Sequence, residues 1–559
     1  MKTIKNILLL IALILGGQGA FAQNQNPVIS AIQKEVDRNK TGLKMEGMAS
    51  PFFISYTIVE VQSHTISASL GTINNSRNSQ QRRGIPTLLV GDYLRNNFST
   101  DGESEESTSL FDNTGIPVTI WRGLDEAYKT AVEKFKAKMA TQQQQTQTEE
   151  EKNLPDFEQV APVNIVLQPA TLNFDKDYWE NYLRKASETA KQYPDILNSS
   201  LSLNVQNIMS YTYNTEGSRY AVPNTVYQLT FTASTRAEDG QDLSRTMRVD
   251  NKTFAQMPDL ATFSEQCKTM MEGLINLKNA PVIDEAYSGP VLFEGLAAVS
   301  IFRQALLNSK LAASPVRAAK QPNSMITVLL NMVTNILGSG GGSLELMLNK
   351  KVISRDITVK SITGQEFYNG KKLNGYYQVD AEGVVPDKEL MLIENGVLRT
   401  MLNGRKPTKK IGHSNGHARF DNESNLMVVP GNILITSSNT YSNEALRTKL
   451  LTAAKEEDLD YALIVRAMES NDLNLIYKVY VADGREELVR GAVITDAGNL
   501  KAFKRILGSS DQEQMVNYAT GGTVQSTVIA PSALLFEEMD ITRKSEIEFK
   551  KSYIVPRPQ

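Results

Sequence analysis

Strand-like and helix-like stretches fall in clusters along this chain, without the regular strand–helix–strand alternation that a parallel sheet with crossover helices needs. That pattern restricts the chain to α+β architectures. In the first half, alternating apolar residues mark strands at 52–59 and 64–73, expected to pair with each other, and another at 85–93. Apolar residues at helical spacing (Leu124, Ala127, Tyr128, Ala131, Phe135, Met139) predict a long amphipathic helix over 124–139. Further helices are expected at 27–37, 174–193 and 254–277, with several strands over 201–233 broken by a turn at Asn214-Thr215-Glu216-Gly217. A second half begins near Ala280-Pro281-Val282. It carries helices at 294–311 and 443–456, with strands at 352–359, 375–379, 390–393, 426–429, 462–466, 475–481, 526–529 and 533–536. The resulting division is 1–22, 23–120, 121–279 and 280–559. A polar low-complexity tract at 141–152 reads as a solvated extension or loop, because it has too few apolar side chains to join a core.

The first 22 residues have the order of a secretory signal. Lys2 and Lys5 precede an apolar run at 7–15, two glycines break it, and Ala20-Phe21-Ala22 offers small residues where a signal peptidase reads. The run falls short of the roughly 20 apolar residues of a permanent anchor. Cleavage after Ala22 is expected, with export to the periplasm or beyond the cell. No later stretch reaches membrane-spanning length; the apolar segment 325–337 is interrupted by Asn331, Thr334 and Asn335. With one cysteine, Cys267, the chain has no internal disulfide, so packing must stabilise it. Cys267 stands at helical spacing from Phe263, Met270 and Met271, which points to a small buried apolar residue. A formal net charge of -3 gives no basic excess to displace counterions from phosphates, so no general affinity for nucleic acid is expected.

Histidine is scarce: His64, His413 and His417 are the only three. Two of them stand four apart in Gly412-His413-Ser414-Asn415-Gly416-His417-Ala418-Arg419. On a helix, rings at that spacing could share a metal. Two glycines and an asparagine argue against a helix, and Asn415-Gly416 is itself a turn signal. Metal binding, contact with a substrate backbone and structural loop chemistry all remain open for this octet. Asp380-Ala381-Glu382-Gly383-Val384 offers either a corner for a divalent cation or an exposed turn, the turn being the default because calcium needs more oxygens. Gly338-Ser339-Gly340-Gly341-Gly342 lacks the Lys-Ser/Thr of a phosphate-cradling loop and reads as a flexible break.

Taken in order, several segments resemble the TldD/PmbA family, once labelled modulators of DNA gyrase and regarded as metallopeptidase-related. Asn214-Thr215-Glu216-Gly217-Ser218 is similar to its N-S-E-G turn, and Tyr287 to Phe293 to the entry of its C-terminal domain. Asp380 to Val384 followed by Leu392-Ile393-Glu394-Asn395-Gly396-Val397-Leu398 resembles its D-x-E-G … L-I-E-N-G-x-L block. Gly412 to Arg419 is similar to its G-N-x-R loop, and Pro430, Arg490-Gly491-Ala492 and Ala530-Pro531-Ser532 also fall in place. The resemblance is strongest from about 280 to 540.

Catalytic members of that family hold zinc with an H-E-x-x-x-H helix and a cysteine near the C-terminus. At the matching positions this chain has Glu294, Gly295 and Val299, and Asn517-Tyr518-Ala519-Thr520-Gly521 contains no cysteine. The resemblance therefore implies the zinc-lacking PmbA (TldE) branch: no metal, no catalytic residue, and a TldD-like H-E-x-x-x-H partner whose substrate chamber this chain helps shape. His413, Asn415, Gly416, His417 and Arg419 are the expected contacts to a peptide substrate, Asn415 and Arg419 offering directional donors to its backbone. A divergent hydrolase using His413 and His417 with Asp421 or Glu294, which could bring zinc with it, is the enzyme alternative. A free-standing envelope binding protein is the third reading.

Overall fold

The computed structural model describes residues 26–98, 109–110, 115–143, 148–170, 172, 174–307, 310–314, 344–468, 474–495 and 497–543. The expected signal peptide at 1–22, the apolar segment 325–337, the glycine-rich break at 338–342 and residues 144–147 of the polar tract lie outside them. No helix among the described residues is long and apolar enough to cross a membrane.

The chain opens with helix α1 (Pro27–Gly42), whose Asn26 side chain caps the Val28 and Ile29 amides while Pro27 takes the first turn. Two long strands follow, β1 (Pro51–Ser69) and β2 (Thr72–Val90), joined by a tight hairpin at Leu70-Gly71. Residues 52–59 and 64–73, expected to pair, are instead mostly one continuous strand. Its partners are β2 on one side and β5 (Asn198–Asn214) on the other. The polar stretch 60–64 in the middle of this strand keeps its pairing on both sides. The chain continues with β3 (Ser109–Leu110), α2 (Ile116–Gln143), the short α3 (Glu149–Asn153), β4 (Asn164–Val166) and α4 (Lys176–Glu188). After β5 come β6 (Arg219–Arg236), β7 (Asp242–Asn251) and α5 (Leu260–Asn279). These strands form one seven-stranded sheet in the order β3-β2-β1-β5-β6-β4, with β7 also on β6. Across the expected boundary between 23–120 and 121–279, β1 and β5 share a continuous ladder from Ser55–Asn214 to Ala68–Leu201.

One face of this sheet is apolar and carries the helices. Ile54, Tyr56 and Ile58 of β1, with Met209, Tyr211 and Tyr213 of β5, pack under α1 and α2. Ile66 and Ala68, with Leu201, Leu203 and Val205, pack under α4 and α5. The helices present matching stripes, such as Trp179, Tyr182, Leu183 and Ala186 on α4. Cys267 lies fully buried in the second cluster, as its spacing suggests.

From 287 onward two sheets enclose the largest core. One runs Val397–Leu398, Leu390–Glu394, Ile357–Ser361, Asn432–Ser437, Val524–Pro531, Glu513–Thr520. In the other, Tyr287–Glu294 lies centrally between Ala533–Arg543 and Tyr461–Ala467. Helix α6 (Leu296–Phe302) buries Val299, Ile301 and Phe302 between the sheets, and α7 (Asn443–Glu456) covers the outer face of the second. The helix expected over 294–311 is α6 followed by a π-type turn at Arg303–Leu307. The strand expected at 375–379 is irregular chain. Its neighbourhood is held by side chains rather than a ladder: the Asn374 N–H donates to Thr527 Oγ1 (2.9 Å) and Tyr377 Oη to the Gly416 carbonyl (2.7 Å).

Candidate functional site

The second face of the seven-stranded sheet is mixed, an apolar patch of Val59, Val61, Ile85 and Ile208 among polar side chains set there by period-two alternation. Thr57, Ser63 and Thr65 of β1, Ser79 and Gln81 of β2, and Asn204, Gln206, Ser210 and Thr212 of β5 all point away from the helices. They floor a cavity of about 780 Å³, large enough for a short peptide segment. Its roof comes from the second half of the chain: Lys252 and Thr253 beyond β7, the irregular run 376–381, and Arg419 to Asn422. The signal in sequence is weak, because the cavity-side positions of β1 read Thr57, Val59, Val61, Ser63 and Thr65, a mixture of polar and apolar residues.

Of the five expected contact residues, Arg419 alone reaches this cavity. Its guanidinium carbon stands 4.1 Å from the centre of the Tyr377 ring, and its Nη1 is buried with no hydrogen-bond partner among the described residues. His417 faces the other way and is buried. Asn415 Oδ1 accepts from the Asn403 N–H (2.8 Å), which fixes the amide and makes His417 Nδ1 the donor to the same oxygen (2.9 Å). Nε2 then accepts from the Ser361 hydroxyl (2.9 Å), which in turn accepts from Thr363 Oγ1 (2.8 Å). Burial lowers its pKa to about 4, helped by the Arg419 charge and opposed by the Asn415 bond. His413 is 89% exposed and meets Glu158 Oε1 at 2.8 Å. Asn415 donates to the Met401 carbonyl (2.8 Å), and Gly416 sits at φ +76 with Pro386 close against it. The octet is therefore an ordered loop whose two rings diverge.

The histidine-based hydrolase is not assembled by this geometry. Asp421 spends its carboxylate on its own turn, accepting from the amides of Glu423 and Asn425 (both 2.8 Å). Glu294 accepts from Arg466 Nε (2.9 Å), and Arg466 grips Glu486 with its other two nitrogens (2.7 and 2.9 Å). Helix α6 packs against the strand Glu513–Thr520, so the elements of the family's zinc site do meet here. Their residues do not fit zinc: Glu294 is ion-paired, Val299 is 2% exposed in the core, and the Asn517 amide bonds Asn251 (3.0 Å) and Thr527 (2.8 Å). Among the described residues no three His, Cys, Asp or Glu side chains converge as a metal cluster.

Asp380 is a buried turn rather than the exposed one expected. Its carboxylate accepts from the amides of Glu382 (2.9 Å), Val384 (2.8 Å) and Ala418 (3.1 Å). Burial and the neighbouring Glu382 charge push the carboxyl up to about 7 against those three donors. Arg405, which no motif or period marks in the sequence, joins the two glutamate–glycine turns. It is fully buried, donating to Glu216 Oε1 (2.6 Å) and the Glu158 carbonyl (2.6 and 2.9 Å), while its own amide donates to Glu382 Oε2 (2.6 Å). Its guanidinium also lies 4.1 Å from the centre of the Phe157 ring.

Comparison with known proteins agrees with this arrangement. Three solved structures share the fold: a proposed modulator of a DNA gyrase from Thermotoga maritima (14% identity, 91% of this chain and 100% of that one, TM-score 0.58), TldE from Thermococcus kodakarensis (13%, 92% and 100%, 0.57) and a proposed modulator of DNA gyrase from Bacteroides thetaiotaomicron (11%, 92% and 98%, 0.55). No curated protein matches by sequence. Residues 323–543 match the family model described as the PmbA/TldA metallopeptidase C-terminal domain. By that match, residues 323–543 carry a domain of the PmbA/TldA C-terminal type, and the chain as a whole shares the fold of the three solved structures.

Proposed function

We propose that this chain is an exported, non-catalytic TldE-like subunit that pairs with a TldD-like H-E-x-x-x-H peptidase and shapes its substrate chamber. One observation carries the reading: at the family's metal position the residues form an Arg466-centred ion-pair network and an apolar plug at Val299, both incompatible with a ligand set. A site so filled has no chemistry of its own to perform, whereas the cavity under the seven-stranded sheet keeps a surface that can face peptide. Support also comes from the fold shared with TldE of Thermococcus kodakarensis. The expected assembly buries well over about 1,000 Å² in total, the range of stable interfaces.

Sedimentation and pull-down with the nearest H-E-x-x-x-H homologue from the same genome test the pairing. A stoichiometric complex with altered peptidase activity is expected. A strictly monomeric chain that leaves the homologue's activity unchanged would replace this reading with a free-standing binding protein. Export is tested separately: the mature protein should begin at Gln23 by mass spectrometry, and intact Met1 in cytoplasmic material would overturn it.

A further inference from the structure

The cavity carries more positive than negative charge once internal partners are assigned. Five cations line it (Arg77, Arg83, Lys252, Lys372 and Arg419) against three acids, Glu366, Asp380 and Asp421. Glu366 pairs with Lys372 at 3.1 Å. Asp380 and Asp421 are taken up by backbone amides, as described above. Arg83 donates to the Asn422 carbonyl and feels the Asp421 charge. Arg77, Lys252 and Arg419 are then left without a salt-bridged carboxylate among the described residues, Arg77 on the exposed part of β2. Lys252 Nζ donates only to the Tyr376 carbonyl (2.9 Å), and Arg419 leaves Nη1 unbonded. Both line the cavity, and burial followed by the Arg419 charge lowers the Lys252 pKa to about 7; Lys372 adds to this and Glu366 opposes it. A half-buried ammonium beside a guanidinium is a pair that lacks its anion.

The same wall supplies an acceptor without a donor. Asn224 Nδ2 donates to the Thr523 carbonyl (3.1 Å), which fixes the amide and leaves Oδ1 with no partner among the described residues. Gln206 Oε1 is likewise unpaired. Buried polar atoms normally find partners, yet Arg419 Nη1, Asn224 Oδ1 and Gln206 Oε1 are orphans of both kinds on residues that line one cavity. Inorganic phosphate carries its acceptors and its O–H donor on one compact centre, whereas a peptide ending in a free carboxylate carries acceptor and donor on separate groups.

We propose that this cavity binds peptides by their C-terminal carboxylate, held between Lys252 and Arg419, with the Asn224 side chain accepting a peptide N–H. The inference rests on the cavity being the substrate-facing one, but its test needs this chain alone, so pairing with a partner can stand or fall independently. Titration calorimetry of the full mature chain would compare acetyl-tetraalanine with its C-terminal amide. The acid should bind roughly tenfold or more tightly, as a charge-assisted bond predicts. Lys252→Gln and Arg419→Gln should each reduce that preference, while Arg419→Lys, which keeps the charge, should retain part of it with an unchanged circular dichroism spectrum. Equal binding of acid and amide, or no binding of either to the wild-type chain, overturns the proposal. So does inorganic phosphate displacing the acid at a comparable affinity.

Discussion

His417 commits both ring nitrogens to neighbours that suit the neutral imidazole, and its stability consequence depends on pH. The folded ring holds its proton only below about 4, whereas the unfolded chain takes it up near 6.5. Between those values the unfolded state binds more protons, so stability falls as pH drops from about 6.5 to about 4 and levels off below. For one such group the loss amounts to roughly 3 kcal/mol at most. His417→Gln should unfold at lower urea at pH 7, because the Ser361 hydroxyl loses its acceptor geometry. The variant should also show a shallower decline toward pH 4. Urea midpoints at pH 7, 5.5 and 4 check both, and an unchanged slope would mean another group governs the acid limb. Asn415-Gly416 made the turn legible in sequence. The direction of each histidine was not, because four-residue spacing implies a shared face only on a helix, and a loop bent at a left-handed glycine sends the two rings apart.

Two turns that look alike in sequence, 214–217 and 380–383, meet through Arg405. Their Asn214 and Asp380 side chains do the same local work, each accepting backbone amides across its turn. Their glutamates then converge from opposite halves of the chain on one buried residue. Removing the guanidinium leaves Glu216 buried with only the Tyr93 hydroxyl (2.8 Å) as partner. Arg405→Met should therefore cost about 3–5 kcal/mol, read as a lower denaturant midpoint with an unchanged slope. A cost below about 1 kcal/mol would show that the neighbouring loops rearrange to hydrate the carboxylate. The turns were legible as local signals, since asparagine, aspartate and glycine punctuate chains in recognisable ways. Arg405 was not, because it lies in irregular chain where no period tells a buried cation from a solvated one. Element types held up better than element pairings: α2, α4 and α5 each contain an amphipathic run visible in sequence. The pairing of β1 with β5 spans more than a hundred residues and leaves no local trace.

The same long-range ladder crosses the expected boundary between two N-terminal regions, and it puts one strand under two separate helix pairs. Ile54 to Ile58 belong to the cluster beneath α1 and α2, and Ile66 to Ala68 to the cluster beneath α4 and α5. Between them β1 turns its other face to the cavity through Val59, Val61 and Ser63. Because β1 and β5 run unbroken through both clusters, neither helix pair can melt without freeing strand that the other relies on. Heat should consequently take the two ends together. Leu124→Ala beneath one pair and Leu274→Ala beneath the other, each fully buried, should shift the same calorimetric transition downward, each by about 2–5 kcal/mol of stability. Two resolved peaks, each moved by only one substitution, would mean that the ends melt independently. Cooperative melting also bears on evolution: a sheet whose middle is stiffened from both ends can change its cavity-facing side chains while its helices hold the floor flat, so ligand preference can drift without a matching loss of thermal resistance.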